Sequence, residues 1–268
     1  MEKRFENNSF SKRLKSMLRV DFRRMFTMPL LYIVLGVCLA VPILILVMTT
    51  MMEGSTPIDH TTGLPGEPIQ GFENVWQILG SVSGQSAGMQ MDLVSMCNIN
   101  MMYFAVAVLV CIFVSEDFTS GYAKNLFTVR AKKTDYVISK TIVGFIGGAL
   151  MIFCFVIGSL IGGGVAALPF DMVGFNVGNL LCCILSKAVL VALFVPIYLV
   201  MSVIGKQKLW LSMLLSFGVG MFLFNIAPMV SPLDATPMHV LLGLVGGAGF
   251  CVGLGAISNQ ILKKTSLE

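Results

Sequence analysis

Long apolar runs alternate with shorter polar segments along this chain of 268 residues. A bilayer core about 30 Å thick is crossed by roughly 20 apolar helical residues, and six stretches reach this length. We therefore predict an all-α membrane protein with six transmembrane helices. The predicted spans are residues 30–52, 93–115, 142–168, 178–204, 209–228 and 238–258.

Lysine and arginine divide the segments outside the spans into two sets. Segments 1–29 and 116–141 hold eight and five of these residues, and segments 205–208 and 259–268 hold two each. Because cytoplasmic flanks accumulate basic residues, we predict that both termini lie in the cytoplasm. The connections on the other side carry acids and no bases: Glu53, Asp59, Glu67, Glu73, Asp92, Asp171 and Asp234.

The composition excludes a water-soluble protein. Hydrophobic residues make up 56% of the chain and charged residues only 12%, whereas a soluble domain carries about 25% charged residues. The apolar run after residue 29 lacks a signal-peptide cleavage pattern, so we expect it to remain as an anchor. The seven cysteines lie in or beside apolar segments without a C-x-x-C pair, which is typical of small buried side chains.

Four G-x-x-x-G pairs occur in the predicted third and sixth spans. In lipid, small residues allow helices to approach closely, so we expect these spans to pack tightly, although glycine is also common in membrane helices. The pairs are Gly144 with Gly148, Gly158 with Gly162, Gly243 with Gly247, and Gly249 with Gly253.

The segment before the first span has the pattern of an amphipathic helix over residues 10–26. Apolar residues recur at helical spacing, and four basic residues gather on the opposite face. We predict a helix that lies in the cytoplasmic interface, or a basic tail that only fixes the topology. Asp21 interrupts the apolar face, which allows a contact with another part of the protein.

The connection 116–141 is too long for a turn and too apolar for a solvated linker. Ser115 followed by Glu116 and Asp117 suits the start of a helix, because a hydroxyl cap and first-turn acids stabilise a helix N-terminus. Gly121 then permits a change of direction. We also expect Thr134 with Asp135 to cap the helix that continues into the third span.

A short apolar group follows Gly121 in this connection. We expect Tyr122, Leu126 and Phe127 to form an apolar knob, ringed by the polar side chains of Lys124, Asn125 and Arg130.

The pattern S-E-D-F-x-x-G-Y-x-K-N-L-F at residues 115–127 resembles the cytoplasmic loop of ABC-2 type transporter permeases. A basic stretch, Tyr136 and Lys140 follow it. The resemblance covers nearly the whole chain, but a Pro-x-Ser-Arg-like stretch of the family is replaced at residues 129–133. It implies a coupling helix between spans two and three that contacts an ATPase subunit. The implied contact residues are Glu116, Gly121, Tyr122, Lys124, Asn125, Leu126 and Phe127.

The resemblance also implies partners and a location. Segment 1–29 would be the cytoplasmic elbow helix, segment 30–258 the transmembrane domain with an outer loop at 53–92, and segment 259–268 a cytoplasmic tail. The chain would be a permease subunit in a bacterial cell membrane, paired with a like or related permease and two copies of an ABC ATPase. It would export a peptide-like or amphipathic substrate, such as an antimicrobial peptide.

The chain has no G-x-x-x-x-G-K-[ST] phosphate loop. We therefore expect it to be no enzyme and to bind no cofactor directly, with ATP and magnesium held by the partner subunit. His60 and His239 lack the spacing of a metal site. No nucleic-acid partner is expected.

Lys187 is the basic residue that lies deep within a predicted span, and intramembrane charges are functional candidates. We expect it to snorkel outward, to pair with Asp171 or Asp92, or to contribute to a substrate pathway. Two other functions remain open. One is an ion-coupled secondary transporter, which needs paired charges within the membrane, and the other is a non-transporting scaffold or immunity protein.

Overall fold

The computed structural model describes residues 10–56, 71–82, 97–129, 132–205 and 208–264. Regular structure in these ranges is entirely helical. The α-helices are α1 (Phe10–Thr27), α2 (Pro29–Met52), α3 (Met102–Thr119), α4 (Tyr122–Val129), α5 (Lys133–Val165), α6 (Val177–Gly205), α7 (Leu209–Val230) and α8 (Pro237–Lys264), with short 3₁₀ turns at Val75–Leu79 and Ile99–Met101.

Six of these helices are long and apolar enough to cross a membrane: α2, α3 with its preceding 3₁₀ turn, α5, α6, α7 and α8. The prediction of a six-span helical membrane protein is therefore confirmed at this level. The exposed faces of α2, α7 and α8 are rich in large apolar side chains, which suits contact with lipid.

The second and third spans differ from the sequence prediction at their ends. Helix α3 begins at Met102 rather than at residue 93, and it continues to Thr119 beyond the predicted end at residue 115. Helix α5 begins at Lys133, nine residues before the predicted start at residue 142. The connection between the two spans is therefore shorter than predicted, and its regular structure is the single short helix α4.

The core of the bundle is built where α3, α5 and α6 meet. A Cβ atom added at Gly144 of α5 would lie 2.9 Å from Val195 of α6, and one at Gly148 would lie 2.5 Å from Val191. Val106 of α3 also contacts the Gly148 position. Glycine at these two positions thus allows three helices to approach closely.

Two further glycine pairs lie at helix interfaces. Gly158 and Gly162 of α5 face the backbone of α2 at Leu39 and Ile43. Gly243 and Gly247 of α8 face Val189 and Ala192 of α6, whereas positions 249 and 253 face open space. Close packing through glycine is confirmed for three of the four predicted pairs and is wrong for the fourth.

The two ends of the bundle differ in character. One end, which we name the basic end, carries α1, α4, the start of α5 and the end of α8, and it exposes Lys124, Lys208 and Lys263. The opposite end carries the loop after α5, with Asp171, and the loop after α7, with Asp234.

Residues 71–82 fold over the opposite end. Val75, Ile78 and Leu79 are buried, and the Trp76 indole donates a 3.0 Å hydrogen bond to the backbone oxygen of Phe170. This part of the outer loop therefore packs against the helical bundle. Asp59, Glu67 and Asp92 lie outside the described residues.

Candidate functional site

Four charged side chains from three helices meet at the basic end. The Lys140 ammonium of α5 lies 2.9 Å from a carboxylate oxygen of Asp21 on α1 and 2.7 Å from one of Asp117 on α3. Arg24 of α1 donates a 2.5 Å hydrogen bond to the other oxygen of Asp117. Asp21, Asp117 and Lys140 are buried. We name Asp21, Arg24, Asp117 and Lys140 the charge cluster.

Neutral groups complete the hydrogen bonding of the charge cluster. The Tyr136 hydroxyl donates to Asp117 at 2.9 Å, and the Ser139 hydroxyl donates to Asp21 at 2.5 Å. The Lys140 ammonium also lies 3.7 Å from the centroid of the Phe113 ring. Each buried carboxylate therefore has a cation and a neutral donor, which offsets the cost of removing these charges from water.

The charge cluster contains two carboxylates and two cations and is therefore balanced. A buried ion pair is weak evidence for stability, because the cost of desolvating its charges can exceed their attraction. Because Asp21 and Arg24 belong to α1, the cluster fixes the position of α1 against α3 and α5. A second pair, Arg13 with Asp135 at 3.0 Å, joins α1 to the first turn of α5.

The electrostatics of the cluster extend to α4. The Arg24 guanidinium lies 4.4 Å from the centroid of the Tyr122 ring. Burial lowers the pKa of Arg24, but the Asp117 carboxylate and its hydrogen bond outweigh this, and the net pKa is raised. Burial, together with Asp21 and Asp117, raises the pKa of Tyr122. Both groups therefore remain protonated, as a cation and a neutral phenol.

The residues proposed for an ATPase contact divide into two groups. Glu116, Lys124 and Asn125 are exposed at the basic end. Gly121 has φ of 72°, a left-handed conformation that favours glycine, and it turns the chain between α3 and α4. The predicted change of direction at Gly121 agrees with this geometry.

The apolar side chains of α4 pack against the chain itself. Tyr122 lies against Arg24, and the Phe127 ring meets the Tyr136 ring edge-on at 5.3 Å. Leu126 is half-buried against the core. The three residues of the predicted apolar knob therefore pack inward, and the rings of Tyr122 and Phe127 cover the charge cluster. Arg130, which was expected beside it, lies outside the described residues.

Two predicted helix starts also differ from the structure. Ser115 and Asp117 lie within α3, which runs on to Thr119, so a new helix does not begin there. Helix α5 is capped by Lys132 without a side-chain hydrogen bond, and Asp135 binds Arg13 rather than capping the helix. In both places a carboxylate expected to stabilise a helix end instead pairs with a cation of α1.

An open cavity of about 270 Å³ lies at the basic end beside the charge cluster, where α1 turns into α2. Glu116, a predicted contact residue, lines this cavity together with Arg24. The residues that line it are Arg24, Thr27, Met28, Pro29, Phe113 and Glu116.

Lys187 lies on α6 near the opposite end and is only 1% exposed. Its ammonium donates to the Ser231 hydroxyl at 3.0 Å and to the Asn100 side-chain oxygen at 3.5 Å. The predicted pair with Asp171 does not form, because Asp171 is exposed in the loop after α5. The pairing with Asp92 falls outside the described residues.

The ammonium is directed toward the opposite end, as expected for snorkelling, but protein covers it. A Cβ atom at Gly80, in the segment that folds over this end, would lie 3.8 Å from the Lys187 nitrogen. Lys187 is therefore enclosed in a polar pocket rather than exposed to solvent.

Sequence reasoning missed most of the charge cluster. Asp117 was interpreted as a helix-start acid, and Arg24 and Ser139 received no role. The one signal that pointed to the cluster was Asp21, a carboxylate on the apolar face of α1, and its expected contact with another part of the protein is observed at Ser139 and Lys140.

Comparisons with protein families, with curated proteins and with solved structures find nothing that matches this chain. What the fold defines is a multi-pass helical membrane protein with a buried charge cluster at one end and a buried lysine near the other.

Proposed function

We propose that this chain is the permease subunit of an ATP-driven exporter of the ABC-2 type, with the basic end in the cytoplasm of a bacterial cell. Two copies of an ATPase subunit bind the basic end, and a second permease chain completes the transporter. The exported substrate is peptide-like or amphipathic. ATP and magnesium are held by the ATPase, so this chain carries no covalent chemistry.

The arrangement of α4 is the observation that carries this proposal. Its exposed side presents Lys124 and Asn125, while its inner side packs on the charge cluster through Tyr122 and Phe127. A short helix with one polar exposed side and one anchored side suits the transfer of movement from a partner to a bundle of helices.

The charge cluster suits this transfer because it couples α4 to three other helices. A force on α4 reaches Arg24 through Tyr122 and reaches α5 through the contact of Phe127 with Tyr136. Arg24 and Lys140 share Asp117 between them, so α1, α3 and α5 respond together.

A specific observation also favours an ion-coupled secondary transporter. Such a protein needs paired buried charges, and Asp21, Asp117 and Lys140 are paired and buried. We favour the exporter because the cluster is balanced by Arg24 and includes residues of α1, a helix with the pattern of an interfacial rather than a spanning element.

Purification of the tagged full chain in mild detergent, from the cells that naturally express it, tests the proposal. We expect an ATP-binding subunit to co-purify and to hydrolyse ATP. The double variant Lys124→Glu with Asn125→Asp reverses the charge of the exposed side of α4 without touching its packed side. It should lower the ATPase rate of the complex about tenfold, as expected when a charged contact is reversed.

Lys208→Glu is the control, since it makes the same lysine-to-glutamate change at an exposed position of the basic end away from α4. It should leave the ATPase rate unchanged. Absence of any ATP-binding subunit, together with transport that follows a proton or sodium gradient, would favour the ion-coupled alternative.

A further inference from the structure

The described residues around Lys187 supply no counter-charge within ion-pair distance. The groups beside its ammonium are the Ser231 hydroxyl, the Asn100 amide, the Cys183 thiol and the backbone of Gly80. In the part of the chain that the structure describes, no carboxylate lies within 4.0 Å of this ammonium, although four ion pairs occur at the basic end. A buried ammonium with neutral neighbours is unfavourable, and an accompanying anion with good hydrogen-bond geometry offsets this cost.

A second donor next to Lys187 also has no acceptor. Asn100 is 1% exposed, its side-chain oxygen faces the Lys187 nitrogen, and its side-chain Nδ2 has no hydrogen-bond partner. Buried amide groups in proteins are nearly always satisfied. Among the described residues, one enclosed place therefore holds a lysine without a paired carboxylate and an amide N–H donor without an acceptor.

One chemical group could bind both the Lys187 ammonium and the free N–H donor of Asn100. A carboxylate has one negative charge and two oxygens, so one oxygen can accept from the Lys187 ammonium and the other from the Asn100 amide. The Ser231 hydroxyl donates to the backbone oxygen of Ala227 and receives the bond from Lys187, which holds the ammonium in place.

We propose that Lys187 and Asn100 form a binding site for one carboxylate group of the transported molecule, near the end of the bundle opposite the charge cluster. The proposal rests on the transport function proposed above and narrows its substrate to molecules with an anionic carboxylate, such as a peptide with a free C-terminus. Ser231 positions the ammonium, and Gly80 covers it with backbone alone. Gly80 has φ of 155°, which favours glycine, so a side chain is disfavoured there.

The test measures the thermal unfolding temperature of the purified full chain in detergent with sodium butyrate, a small soluble carboxylate. Butyramide, its uncharged analogue, is the control compound. We expect butyrate to raise the unfolding temperature saturably by about 2–4 °C, as for a ligand that binds only the folded state. Butyramide should have no such effect.

Two variants separate this site from general salt effects. Lys187→Met removes the cation, and Asn100→Asp installs a carboxylate next to the ammonium in nearly the same shape. Both should abolish the response to butyrate, and Asn100→Asp should also have a higher unfolding temperature than the wild type without butyrate. A wild type that ignores butyrate, or an equal response in both variants, would overturn the proposal.

The experiment needs no ATPase. A butyrate response without a co-purifying ATPase would support the carboxylate site and contradict the exporter. A co-purifying ATPase without a butyrate response would contradict the carboxylate site alone.

Discussion

The Asp21 carboxylate of α1 and the Lys140 ammonium of α5 lie 2.9 Å apart and are both buried, although 119 residues separate them in the chain. Asp21 has two partners, Lys140 and Ser139, and both belong to α5. Helix α1 is therefore attached to the bundle by a buried ionic contact and is not held by its apolar face alone.

Replacing Lys140 with methionine should destabilise the protein by about 3–5 kcal/mol, because removal of one partner leaves a buried charge uncompensated. Asp117 keeps Arg24 and Tyr136, whereas Asp21 keeps the Ser139 hydroxyl and has no other hydrogen bond to the described residues. Thermal unfolding of the purified protein in detergent measures the loss. Lys208→Met makes the same chemical change at an exposed position and should have little effect.

Adding Asp21→Asn to Lys140→Met should restore most of the lost stability, because the remaining Arg24 and Asp117 pair is balanced. Adding Asp117→Asn instead should restore less, since Asp21 would still be buried without a cation. Equal recovery of stability in the two double variants would show that Asp21 does not depend on Lys140 more than Asp117 does.

The topology can be tested with single cysteines in a variant that lacks the seven native cysteines. We expect Glu53→Cys and Glu73→Cys to react with a membrane-impermeant maleimide in intact cells, because the bases lie on the opposite side. Lys132→Cys and Lys208→Cys should react only after permeabilisation. All four positions are exposed, so a position that fails to react is shielded by the membrane. Labelling of residue 132 in sealed cells would contradict the orientation.

The variant Gly158→Ala should destabilise the protein by about 1–3 kcal/mol, a typical cost of overpacking. The added methyl group would collide with the backbone oxygen of Leu39 and with the ring of Pro42, which lies 2.7 Å from the Cβ position. Gly164→Ala on the same helix meets open space and serves as the control. Equal thermal unfolding temperatures for the two variants would mean that α2 and α5 are not in direct backbone contact.

Lys187→Met should unfold at a temperature no lower than that of the wild type in the absence of any added carboxylate. Removal of a buried charge that has no counter-charge among the described residues outweighs the loss of its hydrogen bonds to Ser231 and Asn100. Thermal unfolding in a butyrate-free buffer measures the effect. A large loss of stability would show that the ammonium has a structural counter-charge.

Hydropathy predicted the six membrane-spanning helices because apolar length is a local property of the sequence. The bounds of α2, α6 and α7 are predicted within about two residues, whereas the start of α5 is missed by nine. A hydropathy criterion ends a span at charged residues, and Lys140 and Asp117 are charged. A charged residue need not end a helix, and Lys140 and Asp117 pair with each other inside α5 and α3.

The candidate sites were less accessible to sequence reasoning. A buried charge is recognisable only through its partner, and the partners here lie on different helices. Asp21 was visible as an exception on an apolar face, but nothing local distinguishes Asp117 from an acid that starts a helix. Lys187 was recognised as unusual by its depth, while the orientation of Asn100 toward it depends on the packing of α3 against α6.

The backbone contact between Gly158 and Leu39 has a mechanical consequence. Helix α1 is joined covalently to α2 and by Asp21 and Lys140 to α5, and α2 comes into close backbone contact with α5 at Gly158 and Gly162. These contacts oppose sliding of α1, α2 and α5 past one another and favour their movement as a unit. Because Gly163 of α5 also touches Val75, the connected set of contacts extends from the basic end to the segment over the opposite end.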